Sequence, residues 1–295
     1  MLSQPFWFRD LHTLDELKRV VELETIVWEY TDLQDVVPVP ILAINVKRGG
    51  ILIGAFDESE VMVGFVYSLP GLKSGRLIQW SHMLGVLEAH RNAGLGRLLK
   101  LEQRKRALEM DIKVIEWTFD PMQSMNAHFN LTKLGAVILE YEENIYGESS
   151  SSLHRGTPTD RFVAVWNLES PRVVTRIAGA TDDIPHLNEL PLINATNVED
   201  AWLTFKSWDS KLTHPRLRVE IPIDFGEMQH SSSDRARDWR TASRDMFTTY
   251  MARGYQVVEF VFDRAAGRCW YFLERSWFEG ARLLSGRPGE RASAK

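Results

Sequence analysis

The chain has 295 residues, 44% apolar and 25% charged, which is enough to bury a sizeable core and long enough for two compact units. Its net charge of −5 argues against a general nucleic-acid binder, which carries a basic excess. One cysteine, Cys269, excludes a disulfide within this sequence and has no metal-ligand spacing around it, as expected of a reducing cytoplasm.

No window approaches the roughly 18 uninterrupted apolar residues of a membrane span. The first residues lack the basic-then-apolar order of a secretory signal, so the expectation is a cytoplasmic protein without membrane contact. In chain order, FWFRDLHT (6–13) alternates apolar and polar and predicts a strand. Residues 14–30 carry Leu17, Val20, Val21, Leu23, Ile26 and Val27 at helical spacing, behind a Thr13/Glu16 capping box. A short helix is expected over 40–47, stopped by Gly49-Gly50. ILIGAFD and EVMVGFVYSLP read as a hairpin turning at Glu58-Ser59 and closed by Pro70-Gly71. RLIQWSHMLGV (76–86) is a further strand, with a bulge expected.

A glycine-containing turn follows, then a helix over 94–110. KVIEWTFD (113–120) is a strand, 124–134 a helix stopped at Gly135, 136–146 a strand, and 161–168 another. The serine-rich stretch 148–160 between the last two reads as a loop. The result is an α/β chain with a mixed sheet, antiparallel hairpins first and a β-α-β crossover later. Residues 1–168 form one unit and 169–285 a second α/β region, and 286–295 reads as a disordered tail. In the second region 169–185 is a connector, 216–225 a strand, 231–255 a helix stopped by Gly254, and QVVEFVFD and CWYFLER a hairpin. That strand-helix-strand-strand order repeats the first region's, as a degenerate second copy would, without a residue-level repeat.

The chemistry concentrates in Arg91-Asn92-Ala93-Gly94-Leu95-Gly96, between a strand and a helix. A helix N-terminus presents unpaired N–H donors and the positive end of a dipole, a natural anion site. Glycine lets the backbone approach an anion closely, and Arg91 adds charge. No Lys-Ser/Thr follows, so this is not a P-loop, and Leu99 occupies the third small position of a dinucleotide fingerprint.

The arrangement resembles the GNAT superfamily of acyl-CoA N-acyltransferases. The resemblance rests on Leu84-Gly85-Val86 ending the strand and on the spacing from Val86 to the Arg91–Gly96 turn. Asn126 opening the helix that ends at Gly135-Ala136, and the element order over 6–168, complete it. It implies an acyl-CoA co-substrate, acetyl-CoA or a larger acyl-CoA such as succinyl-CoA, and no metal. The pyrophosphate would lie on Arg91, Asn92, Ala93, Gly94, Leu95 and Gly96, with the pantetheine arm between strands 76–86 and 113–120. An amide near Leu84–Val86 would polarise the thioester carbonyl. The acceptor is expected to be the amine of a small molecule, possible examples being amino acids, with no nucleic-acid or membrane partner. The second region would complete the acceptor pocket or make a homodimer. His82 is the first candidate base, Asp120 the second and Glu116 the third. One departure stands out: Leu131 replaces the tyrosine that commonly protonates the leaving thiolate, leaving Ser124, Tyr141 or water. A non-catalytic acyl-CoA-binding or sensing protein is therefore the alternative.

Overall fold

The computed structural model describes residues 6–147, 158–180, 189–263 and 266–275. The tail at 286–295 and most of the serine-rich stretch, 148–157, lie outside the described residues. The N-terminal elements are β1 (Trp7–Asp10), α1 (Leu14–Trp28), α2 (Val39–Lys47), β2 (Ile51–Phe56), β3 (Met62–Lys73) and β4 (Arg76–Val86). Then come α3 (Leu95–Glu109), β5 (Val114–Phe119), α4 (Ser124–Ala127) running into a π-helical turn (His128–Lys133), β6 (Val137–Glu142) and β7 (Arg161–Asn167). The C-terminal elements are α5 (Pro171–Ile177), β8 (Asn194–Glu199), β9 (Trp202–Trp208), β10 (Arg216–Ile221), α6 (Phe225–Ser231), α7 (Ser233–Ala252), β11 (Gln256–Asp263) and β12 (Arg268–Glu274).

Ten strands form one mixed sheet in the order β1-β2-β3-β4-β5-β7-β6-β11-β12-β10, with β8 and β9 a separate hairpin. Both faces of the first half are covered, so every residue of β2 is buried. Successive side chains point to opposite faces. Ile51, Ile53 and Ala55 therefore join the core beneath α3, while Leu52 and Phe56 meet Leu17, Val20 and Leu23 of α1 and Leu42 of α2. The Thr13/Glu16 capping box that starts α1 is present.

The second region continues the sheet. Outward from the seam between β6 and β11, one side runs β6, β7, β5 and the other β11, β12, β10. The chain enters both in the same way: outer strand, helical crossover, inner strand, hairpin partner. The seam strands are antiparallel and pair through Ile138 and Val257, as a local two-fold relation requires. The C-terminal region thus repeats the β5-to-β7 portion of the first. An aromatic cluster ties the halves together: Phe162 of β7 meets Phe247 of α7 at 4.7 Å and Tyr271 of β12 at 5.4 Å, both edge-on.

Four sequence expectations change. β3 runs through Pro70-Gly71 to Lys73. Pairing with β2 stops at Ser68, so the donor that Pro70 lacks falls on a side with no neighbouring strand. The connector over 169–185 contains a helix, α5, because Ser170 caps it and Pro171 takes its first position. The helix expected over 231–255 is α7, but a further short helix, α6, capped by Asp224, precedes it where only the end of a strand was expected. The β8–β9 hairpin was not anticipated, since its turn uses Asp200 and Ala201 at positive φ instead of a glycine signal. Among the described residues no helix is long and apolar enough to cross a membrane.

Candidate active site

β4 and β5 are parallel neighbours but pair only at Gln79/Ile115 and Trp80/Glu116. Beyond Trp80 they diverge. Part of the cause lies in β4. Tyr67 and Ser68 of β3 pair with Met83 and Ser81, which leaves His82 as an extra residue. Such a bulge bends its strand and strengthens its twist. The gap opens into a cleft of about 1100 Å³. It is lined by Ser81 to Leu84 on β4, Trp117 to Asp120 at the end of β5, Asn126 on α4, and Arg91. Residues from Glu24 to Asp35 and from Gly226 to His230 on α6 close its other walls.

The glycine turn stands at the mouth of the gap. Gly94 has φ +80°, and a Cβ there would meet nothing within 4 Å, so the turn faces open space. Asn92 is left-handed as well, with φ 63°. Among the described residues, no backbone acceptor takes the amides of Asn92, Ala93, Gly94, Leu95 or Gly96. Arg91 donates through Nε to the carbonyl of Val86 at 3.2 Å, which ties the turn to the end of β4. Gly85 is the point of closest packing behind the gap; a Cβ would stand 3.0 Å from Phe65 and 3.2 Å from Trp28.

The structure brings His82, Leu84, Arg91, Asp120 and Asn126 to one cleft. It gives the candidate bases unequal chemistry. His82 meets solvent from the cleft, edge-on to Tyr67 at 6.2 Å, and partial burial lowers its pKa below the ordinary imidazole value. Asp120 is occupied: Arg240 of α7 donates to both carboxylate oxygens at 2.6 and 2.7 Å, and the amide of Met122 adds a bond of 2.8 Å. Burial raises its pKa, but the Arg240 guanidinium outweighs this and holds the carboxyl below the usual range. A carboxylate so gripped is a poor proton acceptor. Glu116 is bound by Lys73 at 3.0 and 3.1 Å and does not line the cleft.

Of the expected thiolate donors, Ser124 donates to the carbonyl of Ile223 at 2.5 Å and Tyr141 to Asp160 at 2.7 Å. Burial and the Asp160 charge push the Tyr141 phenol far up. Leu131 is fully buried in the core.

Three cleft residues escaped the sequence reading. Glu24 on α1 is 1% exposed, and burial raises its carboxyl to about 7 against the opposing amide of Val37, 3.1 Å away. Tyr146, after β6, shares a hydrogen bond of 2.8 Å with Thr118 of β5. Lys100 of α3 is buried, with Nζ 3.2 Å from Ser81 Oγ, 2.8 Å from Gln103 Oε1 and 3.8 Å from the Trp117 ring centroid. Burial drives its pKa well below that of a free lysine. The signal for Lys100 lay in the α3 pattern: Leu95, Leu99, Gln103 and Ala107 recur every four residues, and Lys100 is on that stripe. Among the described residues no group of three or more His, Cys, Asp or Glu side chains could hold a metal ion.

No family model and no curated protein matches the sequence. Solved structures do match in shape. NAA60 of Arabidopsis thaliana, bound to a bisubstrate analogue, is 14% identical over 55% of this chain and 98% of its own, with a TM-score of 0.44. A GNAT-family acetyltransferase of Streptococcus pneumoniae is 18% identical over 55% of this chain and 98% of its own, at 0.43. The PaiA N-acetyltransferase of Thermoplasma acidophilum, in complex with coenzyme A, is 16% identical over 55% and 99%, at 0.40. Each of these likenesses covers about 55% of this chain.

Proposed function

We propose that this chain transfers an acyl group from coenzyme A to the amine of a small molecule. One observation carries the reading: the gap between two parallel strands opens directly onto a turn whose amides, among the described residues, have no backbone acceptor. A pyrophosphate on Arg91–Gly96 would take those amides and the α3 dipole together. Past Trp80, among the described residues β4 pairs with no strand on its β5 side, so the amides of Leu84 and Val86, which alternate away from β3, are open to a pantetheine arm. Asn126, across the cleft on α4, lies within the same cavity as this arm.

The acceptor enters from the wall formed by α1 and α6, where Glu24, Glu29, Asp35 and Glu227 place carboxylates around the cleft. Such a wall favours an ammonium. Glu24, poised near neutral pH, takes a proton from it, directly or through water. The free amine attacks the thioester carbon. Negative charge on the carbonyl oxygen is met by a β4 amide, the C–S bond breaks, the Tyr146 hydroxyl protonates the thiolate, and the new amide nitrogen returns its second proton to the Tyr146 oxygen through solvent. Asp120 and Arg240 hold the end of β5 in place.

Thermal stability in CoA, acetyl-CoA, ATP and NAD tests the reading, with Arg91→Glu/Gly94→Asp as control. A ligand at about 100 times its Kd should add roughly 2.7 kcal/mol. A shift with CoA compounds alone, lost in the variant, is expected; none with any CoA compound overturns the reading. Leu131 and the occupied Ser124 and Tyr141 favour binding without transfer. Release of CoA thiol on adding amines to the acyl-CoA complex excludes that alternative.

A further inference from the structure

Lys100 is a buried amine at the closed end of the gap. Ser81 and Trp117 are the first residues on β4 and β5 past the last paired rung, Trp80 and Glu116. Lys100 Nζ reaches both, at 3.2 Å from Ser81 Oγ and 3.8 Å from the Trp117 ring centroid, and the residue lines the cleft. A chain passing the thioester and continuing inward meets this group.

Its surroundings are polar but uncharged. Gln103 Oε1 and Ser81 Oγ accept from it, and the faces of Trp117 and Trp166 stand 3.8 and 5.5 Å away. Among the described residues no carboxylate comes within ion-pair distance of Lys100. Elsewhere in this fold buried cations have one: Arg240 has Asp120 and Arg176 has Glu259. A buried ammonium without a counter-ion is costly, and a fixed hydrocarbon side chain would fill the same space without that cost.

We propose that Lys100 selects an acyl group ending in a carboxylate, so that the acyl donor is a dicarboxylic-acid monothioester of CoA, such as succinyl- or glutaryl-CoA. The acyl carboxylate supplies the missing counter-ion, while Ser81 and Gln103 hold the amine. The inference rests on the acyl-CoA reading of the cleft and adds the acyl class to it.

Two stable thioethers separate it from that reading: S-(3-carboxypropyl)-CoA and S-butyl-CoA, which differ only in a terminal carboxylate against a methyl. Titration calorimetry on the full chain should give at least tenfold tighter binding of the carboxypropyl compound, with free CoA also binding. Lys100→Met should erase or invert the preference. Gln103→Glu, which keeps the amine and supplies an internal carboxylate, should also erase it. CoA binding with equal affinity for the two thioethers overturns the carboxylate inference and leaves the transferase reading standing. A preference that persists in both variants places its origin elsewhere and also overturns the role of Lys100. No binding of CoA or either thioether overturns both readings.

Discussion

Arg240 on α7 grips Asp120 at the end of β5 through two hydrogen bonds, 2.6 and 2.7 Å long. One helical turn later, Arg244 binds Asp160 before β7 at 2.7 and 2.9 Å. Two arginines of the C-terminal half therefore clasp two aspartates of the N-terminal half, one of which, Asp120, lines the cleft. Removing one partner of a buried pair leaves the other charge uncompensated. Arg240→Met is expected to cost about 3–5 kcal/mol of unfolding free energy in urea. Asp120→Asn with Arg240→Met should recover part of that loss, and strictly additive losses would show that the pair is not coupled. The sign with pH follows from the depressed Asp120 pKa. The contribution is complete above the unfolded value, about 4, and is lost as pH falls through the folded one.

Gly94 separates stability from binding. Its φ of +80° is strained for any side chain, yet no atom lies within 4 Å of where a Cβ would stand. Gly94→Ala should therefore cost about 1–2 kcal/mol at most if the turn holds, or less if the turn relaxes. Relaxation re-aims the amides of Leu95 and Gly96. CoA affinity should fall about tenfold or more, measured by calorimetry beside a thermal melt. An unchanged affinity in a variant whose stability is also unchanged, the sign of a relaxed turn, would place the pyrophosphate elsewhere.

Local signals wrote much of this fold into the sequence. The capping box before α1, the apolar run of β2, the alternation in β5, and Gly135 and Gly254 past their helices mark elements within a few residues of where they lie. The glycine turn was legible because the left-handed Gly94 and the start of α3 are local to six consecutive residues. Glu24 was not, because its significance comes from burial against β-strands and the Val37 amide, neither adjacent in sequence. The pairing of Asp120 was not legible for the same reason: its partner lies 120 residues away. The β-α-β-β echo in the second half was visible in element order, whereas the seam at Ile138 and Val257 is tertiary.

Tyr146 offers a test of how the thiolate leaves. Its hydroxyl shares a hydrogen bond with Thr118 on the strand that borders the gap, and it lines the cleft where Leu131 has no proton to give. Tyr146→Phe removes one hydrogen bond, worth about 1 kcal/mol of stability. Removing a general acid lowers turnover by roughly 10²-fold or more. The loss should fall on kcat with CoA affinity unchanged. A loss confined to the KM of the amine would make Tyr146 an acceptor contact instead.

Glu24 and His82 are distinguished by pH. Burial raises the Glu24 carboxyl to about 7, whereas it lowers His82 below the ordinary imidazole value. If Glu24 takes the proton, kcat/KM rises through an acid limb near pH 7, and Glu24→Gln lowers activity by about 10²–10⁴-fold and removes that limb. His82→Gln then leaves the limb in place. If His82 is the base, the limb lies below pH 6.5 and vanishes with His82→Gln. Stability supplies an independent check. A carboxyl with a raised folded pKa keeps its proton in the native state while the unfolded chain has lost it. Stability therefore falls as pH rises between about 4.5 and 7, by on the order of 2–3 kcal/mol. Glu24→Gln keeps the Val37 amide near an oxygen and cannot ionise. Its stability should be flat across that window and exceed wild type above pH 7, even as activity is lost. A variant both inactive and less stable at pH 8 would show that Glu24 holds α1 in place without acting on the substrate.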